Sequence, residues 1–448
     1  MLRKIKNNMT RTQMIALGYF LLIALGTLLL MLPAASKTGE KTNVLTALFT
    51  ATSATCVTGL VVVDTGTYWS VFGQCVILGL IQIGGLGFVT IGVLFATVLN
   101  RKITLRTRGL LQESMNVSQM GGVVRLAKLA LRGTAVIELT GAFLLSLRFV
   151  PEFGVIKGIG FGIFHSISAF CNAGFDLMGA DKGVYSSFTS YAGDALVNLV
   201  IMILIVVGGI GFLVWDDIFV HGRHFRKYAL HTKLALSVTA VLIFGGAGLF
   251  FLFERGNLLA GSGLKESILA SLFSSVTART AGFNTIDTAG LTTSSKLLTM
   301  VLMFIGGSPG STAGGIKTTT LIVLLIFVRA NLRHSRGCNI FGRRLEEDAV
   351  KKASSVTMIS MILIISTSIV ICFFQTLPME DVLFEVFSAI GTVGMSTGVT
   401  RELNSASRLV IVFLMYCGRI GSMAFALFFM EKRKTAPIQC PAEKVMIG

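Results

Sequence analysis

The sequence predicts an all-α polytopic membrane protein of four pseudo-symmetric repeats around one axis, each a span, a re-entrant loop and a second span. Three observations carry that prediction: an apolar composition, eight long apolar segments, and a short pattern that occurs four times. Of the 448 residues, 53% are hydrophobic and 14% charged, which excludes an ordinary soluble domain.

The eight segments lie at about 13–32, 70–99, 123–147, 194–220, 234–253, 296–328, 354–374 and 408–430. Each is long enough to cross a hydrocarbon core of about 30 Å. The first follows a basic stretch but lacks the short apolar core of a signal peptide.

The repeated pattern reads FTATSATCVTG at Phe49 to Gly59, FHSISAFCNAG at Phe164 to Gly174, LFSSVTARTAG at Leu272 to Gly282 and FEVFSAIGTVG at Phe384 to Gly394. The closing glycines are 115, 108 and 112 residues apart, so one unit of about 110 residues accounts for the chain. The repeats occupy 1–100, 101–222, 223–340 and 341–430, and a tail follows over 431–448.

Charge fixes the orientation. The N-terminus to Arg11, the links 101–132, 216–233 and 329–352, and the tail from 431 hold 26 of the 39 Lys and Arg, with eight acids, a net +18 against +17 for the chain. This is the positive-inside pattern, with both termini and the three links cytoplasmic and all four loops entering from outside. It argues for a lipid bilayer and against a nucleic-acid partner.

The seven cysteines show neither a disulfide framework nor metal-ligand spacing and read as reduced and structural. His221, His224 and His231 sit among Arg223, Arg226 and Lys227 and read as a solvated basic link, not a zinc site.

Non-helical backbone at membrane depth survives only where protein buries it or it lines a watery cavity. Each pattern therefore reads as a short pore helix, with Glu266, Glu380 and Asp381 near the starts of the third and fourth, where the helix dipole favours acids. A brief extended run should follow, namely Cys56, Val57 and Thr58; Cys171, Asn172 and Ala173; Arg279, Thr280 and Ala281; and Gly391, Thr392 and Val393. It closes on Gly59, Gly174, Gly282 or Gly394, the residue type free to take positive φ.

Four such runs facing one axis, eight spans plus four pore helices in all, would present carbonyl rings to a dehydrated alkali cation in a single pore. No carboxylate stands in the runs, which argues against a divalent site. Arg279 is expected to point behind the filter toward a carboxylate such as Glu385.

The second spans carry another echo: Gly84 to Phe88 (GGLGF), Gly208 to Phe212 (GGIGF), Gly306 to Gly310 (GGSPG) and Cys417 to Gly421 (CGRIG). The first two copies read as close helix packing. The third, GGSPGSTAGGIK from Gly306 to Lys317, opens with six small or helix-breaking residues and must interrupt the span. It is no P-loop, because its lysine does not follow the glycine directly.

Gly306, Gly307, Gly310, Ser311, Thr312, Ala313, Gly314, Gly315 and Lys317 thus form a candidate gate beneath the filter. Arg419, a charge inside an apolar span, is functional by default. It can bind the gate's carbonyls or act as an electrostatic barrier.

Together these motifs resemble the Trk/Ktr/HKT superfamily of potassium transport proteins. The runs SATCVTGLVV, SAFCNAGFD, TARTAGFNT and SAIGTVGMSTG resemble in particular the KtrB-like membrane subunits of bacterial Ktr uptake systems. The resemblance covers about residues 12–430.

It implies potassium uptake, often sodium-activated, in a bacterial plasma membrane, by a homodimer with one pore per subunit and a cytoplasmic ring of nucleotide-binding RCK (KtrA-like) subunits. The nucleotide belongs to that partner; this chain is expected to hold no cofactor beyond the transported K⁺ and a possible activating Na⁺. By position, Gly59, Gly174, Gly282 and Gly394 become the filter glycines, 306–315 the gate loop and Arg419 the pore-lining arginine.

No link is long enough for a soluble domain, so regulation is expected in trans, with Arg333, Arg343, Arg344 and Lys432 as docking candidates. A Na⁺- or H⁺-coupled alternating-access symporter would need inverted repeats and broken helices, and the single orientation of these four repeats argues against it. An enzyme would need a nucleophile with a base, paired carboxylates or a metal triad, and no segment offers one.

Overall fold

A computed structural model describes residues 9–99, 103–115, 117, 121–335, 337–421 and 443. The chain is mostly helical. The tail apart from residue 443, with Lys432, and the end of the eighth expected span lie outside the described residues.

In the first repeat, α1 (Arg11–Leu30) opens on a capping box between Thr10 and Gln13. It is followed by the short α2 (Val44–Cys56), capped by Asn43, and by α3 (Val71–Leu86) and α4 (Phe88–Val98). The second has α5 (Val123–Phe153), α6 (Val155–Phe170), α7 (Ala195–Gly209) and α8 (Phe212–His221).

The third has α9 (Leu230–Glu254), α10 (Leu264–Thr277), α11 (Thr293–Ile305) and α12 (Thr318–Leu332). A two-stranded hairpin, Asn339–Ile340 with Arg343–Arg344, leads to α13 (Glu347–Phe374), α14 (Met379–Gly391) and α15 (Ser405–Ile420).

Four helices, α1, α5, α9 and α13, are long and apolar enough to cross a membrane. They also expose large side chains outward: Phe20 is 59% exposed, Leu139 70%, Phe244 71% and Ile362 58%. A bilayer is the solvent that suits such a belt. The short helices α2, α6, α10 and α14 are buried inside, and Phe49, Phe170, Phe273 and Phe384 on them are at most 1% exposed.

The second spans of the first two repeats differ from the expected continuous helices, whereas that of the third is interrupted where expected. The pairs α3/α4 and α7/α8 are each bent by 94°, and α11 and α12 are separated by the whole of Gly306 to Lys317. The bends have a backbone cause: Gly87 (φ 81, ψ 129) and Gly211 (φ 99, ψ 142) sit at the two corners, a conformation almost reserved for glycine.

Close packing, the expected role of these motifs, is also present. A Cβ on Gly84 would lie 2.0 Å from the Thr55 carbonyl oxygen, on Gly208 2.0 Å from that of Phe170, and on Gly418 2.3 Å from that of Ile390. Each carbonyl belongs to the residue four places before a pattern's closing glycine.

Candidate functional site

The four closing glycines meet in a ring. A Cβ on Gly59 would stand 2.5 Å from the Ala173 oxygen and 3.1 Å from Cα of Gly174; on Gly174, 2.6 Å from the Ala281 oxygen and 3.1 Å from Cα of Gly282. A Cβ on Gly282 would stand 2.4 Å from the Val393 oxygen and 3.1 Å from Cα of Gly394, and one on Gly394 2.2 Å from the Thr58 oxygen and 2.9 Å from Cα of Gly59. The order 59, 174, 282, 394 closes on itself, with the second and fourth repeats on one diagonal. A side chain at any of the four strikes its neighbour's carbonyl.

The runs before these glycines are not the extended segments expected. Val57, Asn172, Thr280 and Thr392 take φ of 57°, 58°, 77° and 50°, and the glycines 90°, 69°, 80° and 92°, whereas the residues between, Thr58, Ala173, Ala281 and Val393, are not left-handed. Cys56 and Gly391 still belong to their helices, and Cys171 is a helix cap. The physical reason is capping: a left-handed residue just past a helix end lets its N–H return to the last turn, as Val57 to Ala54 and Thr392 to Ala389 do.

Side chains one turn back brace the turn. Ser53 accepts from the Gly59 N–H at 3.1 Å and Ser388 from the Gly394 N–H at 3.1 Å. Ser168 donates to the Phe175 oxygen and Thr277 to the Phe283 oxygen, both at 2.7 Å. Sequence reasoning missed these residues, although a serine six places before the glycine in three of four copies was a visible signal.

Arg279 points away from the ring, but not to Glu385. Its Nη2 donates to Thr239 on α9 at 3.2 Å, while Glu385 accepts from Ser396 and from Thr400. Arg279 follows the C-terminus of α10, whose negative dipole end compensates a cation without a carboxylate. Among the described residues Cys56, Cys75, Cys171, Cys338, Cys372 and Cys417 are all free thiols.

The non-helical segment after α11 lies against the underside of this ring. Gly314 abuts Thr392, where a Cβ would meet the threonine Oγ1 at 1.9 Å, and the Thr312 hydroxyl lies 3.1 Å from the Phe170 oxygen and 3.4 Å from Asn172 Oδ1. The Ser308 N–H donates to Gly209 at 2.9 Å, that of Thr312 to Gly208 at 3.3 Å and that of Phe212 to Gly310 at 2.8 Å. The loop thus leaves the third repeat and is tied to the second and the fourth.

Two cations hold it. Arg419 donates to the Thr312 oxygen at 2.5 Å, to that of Gly85 at 2.9 Å and also to that of Gly84, and Lys317 Nζ donates to Ala313 at 2.6 Å and Gly314 at 3.1 Å. Lys317 itself has φ 94 and ψ 139, the corner conformation of Gly87, Gly211 and Gly421 (φ 96, ψ 131). The third repeat therefore places a lysine where the others place glycine.

A cavity of about 150 Å³ on the side of the ring away from the Gly306 to Lys317 segment is lined by all four ring glycines with Asp64, Asp176, Asp287 and Arg401. Burial, and secondarily Asp64, push the Asp176 carboxyl up to about 7, so this mouth gains negative charge as pH rises through that value. A separate cavity of about 420 Å³ is lined by the loop from Pro309 to Lys317, by Gly85 to Gly87 and by Arg419.

Residues 4–436 match the TrkH family model, described as a cation transport protein. The chain belongs to the TrkH family. Its relatives include the potassium/sodium uptake protein NtpJ of Enterococcus hirae, 42% identical over all of this chain and 99% of that protein. The Ktr system potassium uptake protein B of Bacillus subtilis is also 42% identical, over 98% of this chain and 97% of the relative. The crystal structure of the potassium transporter TrkH from Vibrio parahaemolyticus superposes with a TM-score of 0.73 at 18% identity, covering 94% of this chain and 85% of that one, a likeness of fold. The TrkH family is one of cation transporters, not of enzymes, and its apolar long helices make this member a membrane protein.

Proposed function

We propose that this chain is the potassium-translocating subunit of an uptake system. K⁺ crosses at the four-repeat ring of Thr58, Ala173, Ala281 and Val393 carbonyls with their glycines, in a fold of eight spans and four pore helices. The observation that carries the reading is the closure of Gly59, Gly174, Gly282 and Gly394 on one another. Oxygens fixed around so narrow a ring, at the negative ends of four helices, replace the hydration shell of a monovalent cation and repel anions.

The Gly306 to Gly315 loop is the gate, and Arg419 and Lys317 hold it shut. Release comes from a cytoplasmic nucleotide-binding RCK ring beneath a homodimer whose termini face the cytoplasm of a bacterial plasma membrane, with Na⁺ as activator. Two full-length relatives, one named as a potassium/sodium and one as a potassium uptake protein, support the substrate, and the one named as a Ktr system component supports a regulatory partner. The test is K⁺ uptake by a strain lacking its own potassium systems, with and without a co-expressed RCK subunit. Partner-stimulated uptake is expected; absence of uptake in both conditions, with the chain present in the membrane, overturns the proposal.

A further inference from the structure

The segments that leave the glycine ring outward are held in two different ways. In the second and fourth repeats, the pore helix itself supplies the support from the position nine places before the glycine. His165 Nε2 accepts the Leu177 N–H at 3.1 Å while its Nδ1 donates to Phe161 at 2.7 Å, and Glu385 accepts from Ser396 and Thr400. In the first and third repeats, that position is Thr50, whose hydroxyl has no hydrogen-bond partner among the described residues, and the apolar Phe273.

What holds those two repeats is a loop of the second, Tyr185 to Phe188. The Tyr185 N–H donates to Asp64 Oδ2 at 2.9 Å and its hydroxyl to the Val62 oxygen at 3.4 Å, both in the first repeat. Ser187 Oγ accepts the Asn284 N–H at 3.1 Å and the Phe188 N–H donates to the Asn284 oxygen at 2.8 Å, both in the third. The fourth contributes Arg401, 4.3 Å above the Tyr185 ring.

The Phe188 ring lies between His165, 5.0 Å away, and Phe283, 5.4 Å away. Four residues thus touch all four repeats at the mouth. Two of them, Tyr185 at φ 62 and Ser187 at φ 46, sit in the left-handed region, which non-glycine residues keep only where surrounding contacts enforce it.

We propose that Tyr185 to Phe188 is an outer clasp that positions the filter segments of the first and third repeats, and that discrimination between K⁺ and Na⁺ depends on it. These are positioning residues, acting through Asp64 and Asn284 on backbone two to five places beyond Gly59 and Gly282. The physical reason is that selectivity by backbone oxygens requires each of the four runs to keep its distance from the axis. The pore helices of this diagonal brace only the turn itself, through Ser53 and Thr277, and the segments beyond Gly59 and Phe283 rely on the clasp. The inference rests on the filter reading above.

The test compares full-length variants in liposomes, reading K⁺ flux and its inhibition by Na⁺. Asp64→Ala removes the acceptor for the Tyr185 N–H together with the Thr67 cap, Asp64→Asn keeps one of those acceptors but not the charge, Ser187→Ala removes one of the two bonds to Asn284, and Gly282→Ser perturbs the ring directly.

Asp64→Ala and Ser187→Ala should each lower the preference for K⁺ about three- to tenfold, the scale of one lost buried hydrogen bond. Asp64→Asn, which keeps one acceptor oxygen, should lower the preference less than Asp64→Ala does; an equal loss in the two would assign the effect to the charge at the mouth and overturn the clasp. If Gly282→Ser changes the preference while both alanine variants reduce flux without changing it, the clasp is overturned. If Gly282→Ser leaves the preference unchanged, the filter reading fails and the clasp with it.

Discussion

Lys317 is where a single residue concentrates the most opposing physics. Its backbone takes a corner that glycine takes at 87, 211 and 421, at a cost of about 1–3 kcal/mol, while its ammonium ties down two loop carbonyls. Replacing it with glycine relieves the first and removes the second. Lys317→Gly should keep or raise the melting temperature yet raise partner-free K⁺ flux; a destabilised variant with unchanged flux would show that the lysine is merely structural. Neither half of this was legible in the sequence, because GGIK shows a lysine after glycines and says nothing of φ. The ring glycines were legible because the same residue recurs at four matching places. The serines that brace them stood in the same alignment, but their hydrogen bonds are visible only in three dimensions.

At the scale of elements, the gate loop has few apolar side chains and is held by hydrogen bonds to backbone. The one charge-assisted bond from Arg419 to the loop, at the Thr312 oxygen, stabilises the seated form by about 1.5–3 kcal/mol, against about 5.5 kcal/mol to carry a two-state equilibrium from 1:99 to 99:1. Arg419→Ala should therefore open the loop partly, raising partner-free flux in liposomes by about tenfold or more, and deletion of Gly310 to Gly314 should raise it further. A folded deletion that conducts no faster than the parent chain would sink the gating role. The break at Gly306 to Lys317 was plain from six small or helix-breaking residues in a row. The 94° bends at Gly87 and Gly211 were not, since one glycine in an apolar run reads equally well as a helix-packing site, and here it is followed by a corner.

For the whole molecule, the basic segments that the proposal places in the cytoplasm are the surface left for control. Arg333, Arg343 and Arg344 are exposed, the last two on the hairpin after α12. Arg343→Glu with Arg344→Glu should abolish stimulation by an RCK ring and leave partner-free flux within about twofold, because a rim charge reversal acts on association rather than on the pore. Full stimulation of that double variant would move the docking surface elsewhere. The apolar composition and the span pattern made a helical membrane protein readable from sequence. The asymmetry among repeats was not, because it resides in one arginine turned to Thr239, one loop reaching to two repeats and one clasp at the mouth.

The central claim is that four glycines from four repeats form one filter, and the ratio of K⁺ to Na⁺ permeation through the reconstituted chain tests it most directly. A Cβ collides with the next repeat's carbonyl at all four places, most closely at Gly394, 2.2 Å from the Thr58 oxygen. Serine at Gly59, Gly174, Gly282 or Gly394 should each reduce the ratio, with Gly394→Ser reducing it most; a ratio unchanged in all four folded variants would contradict the account.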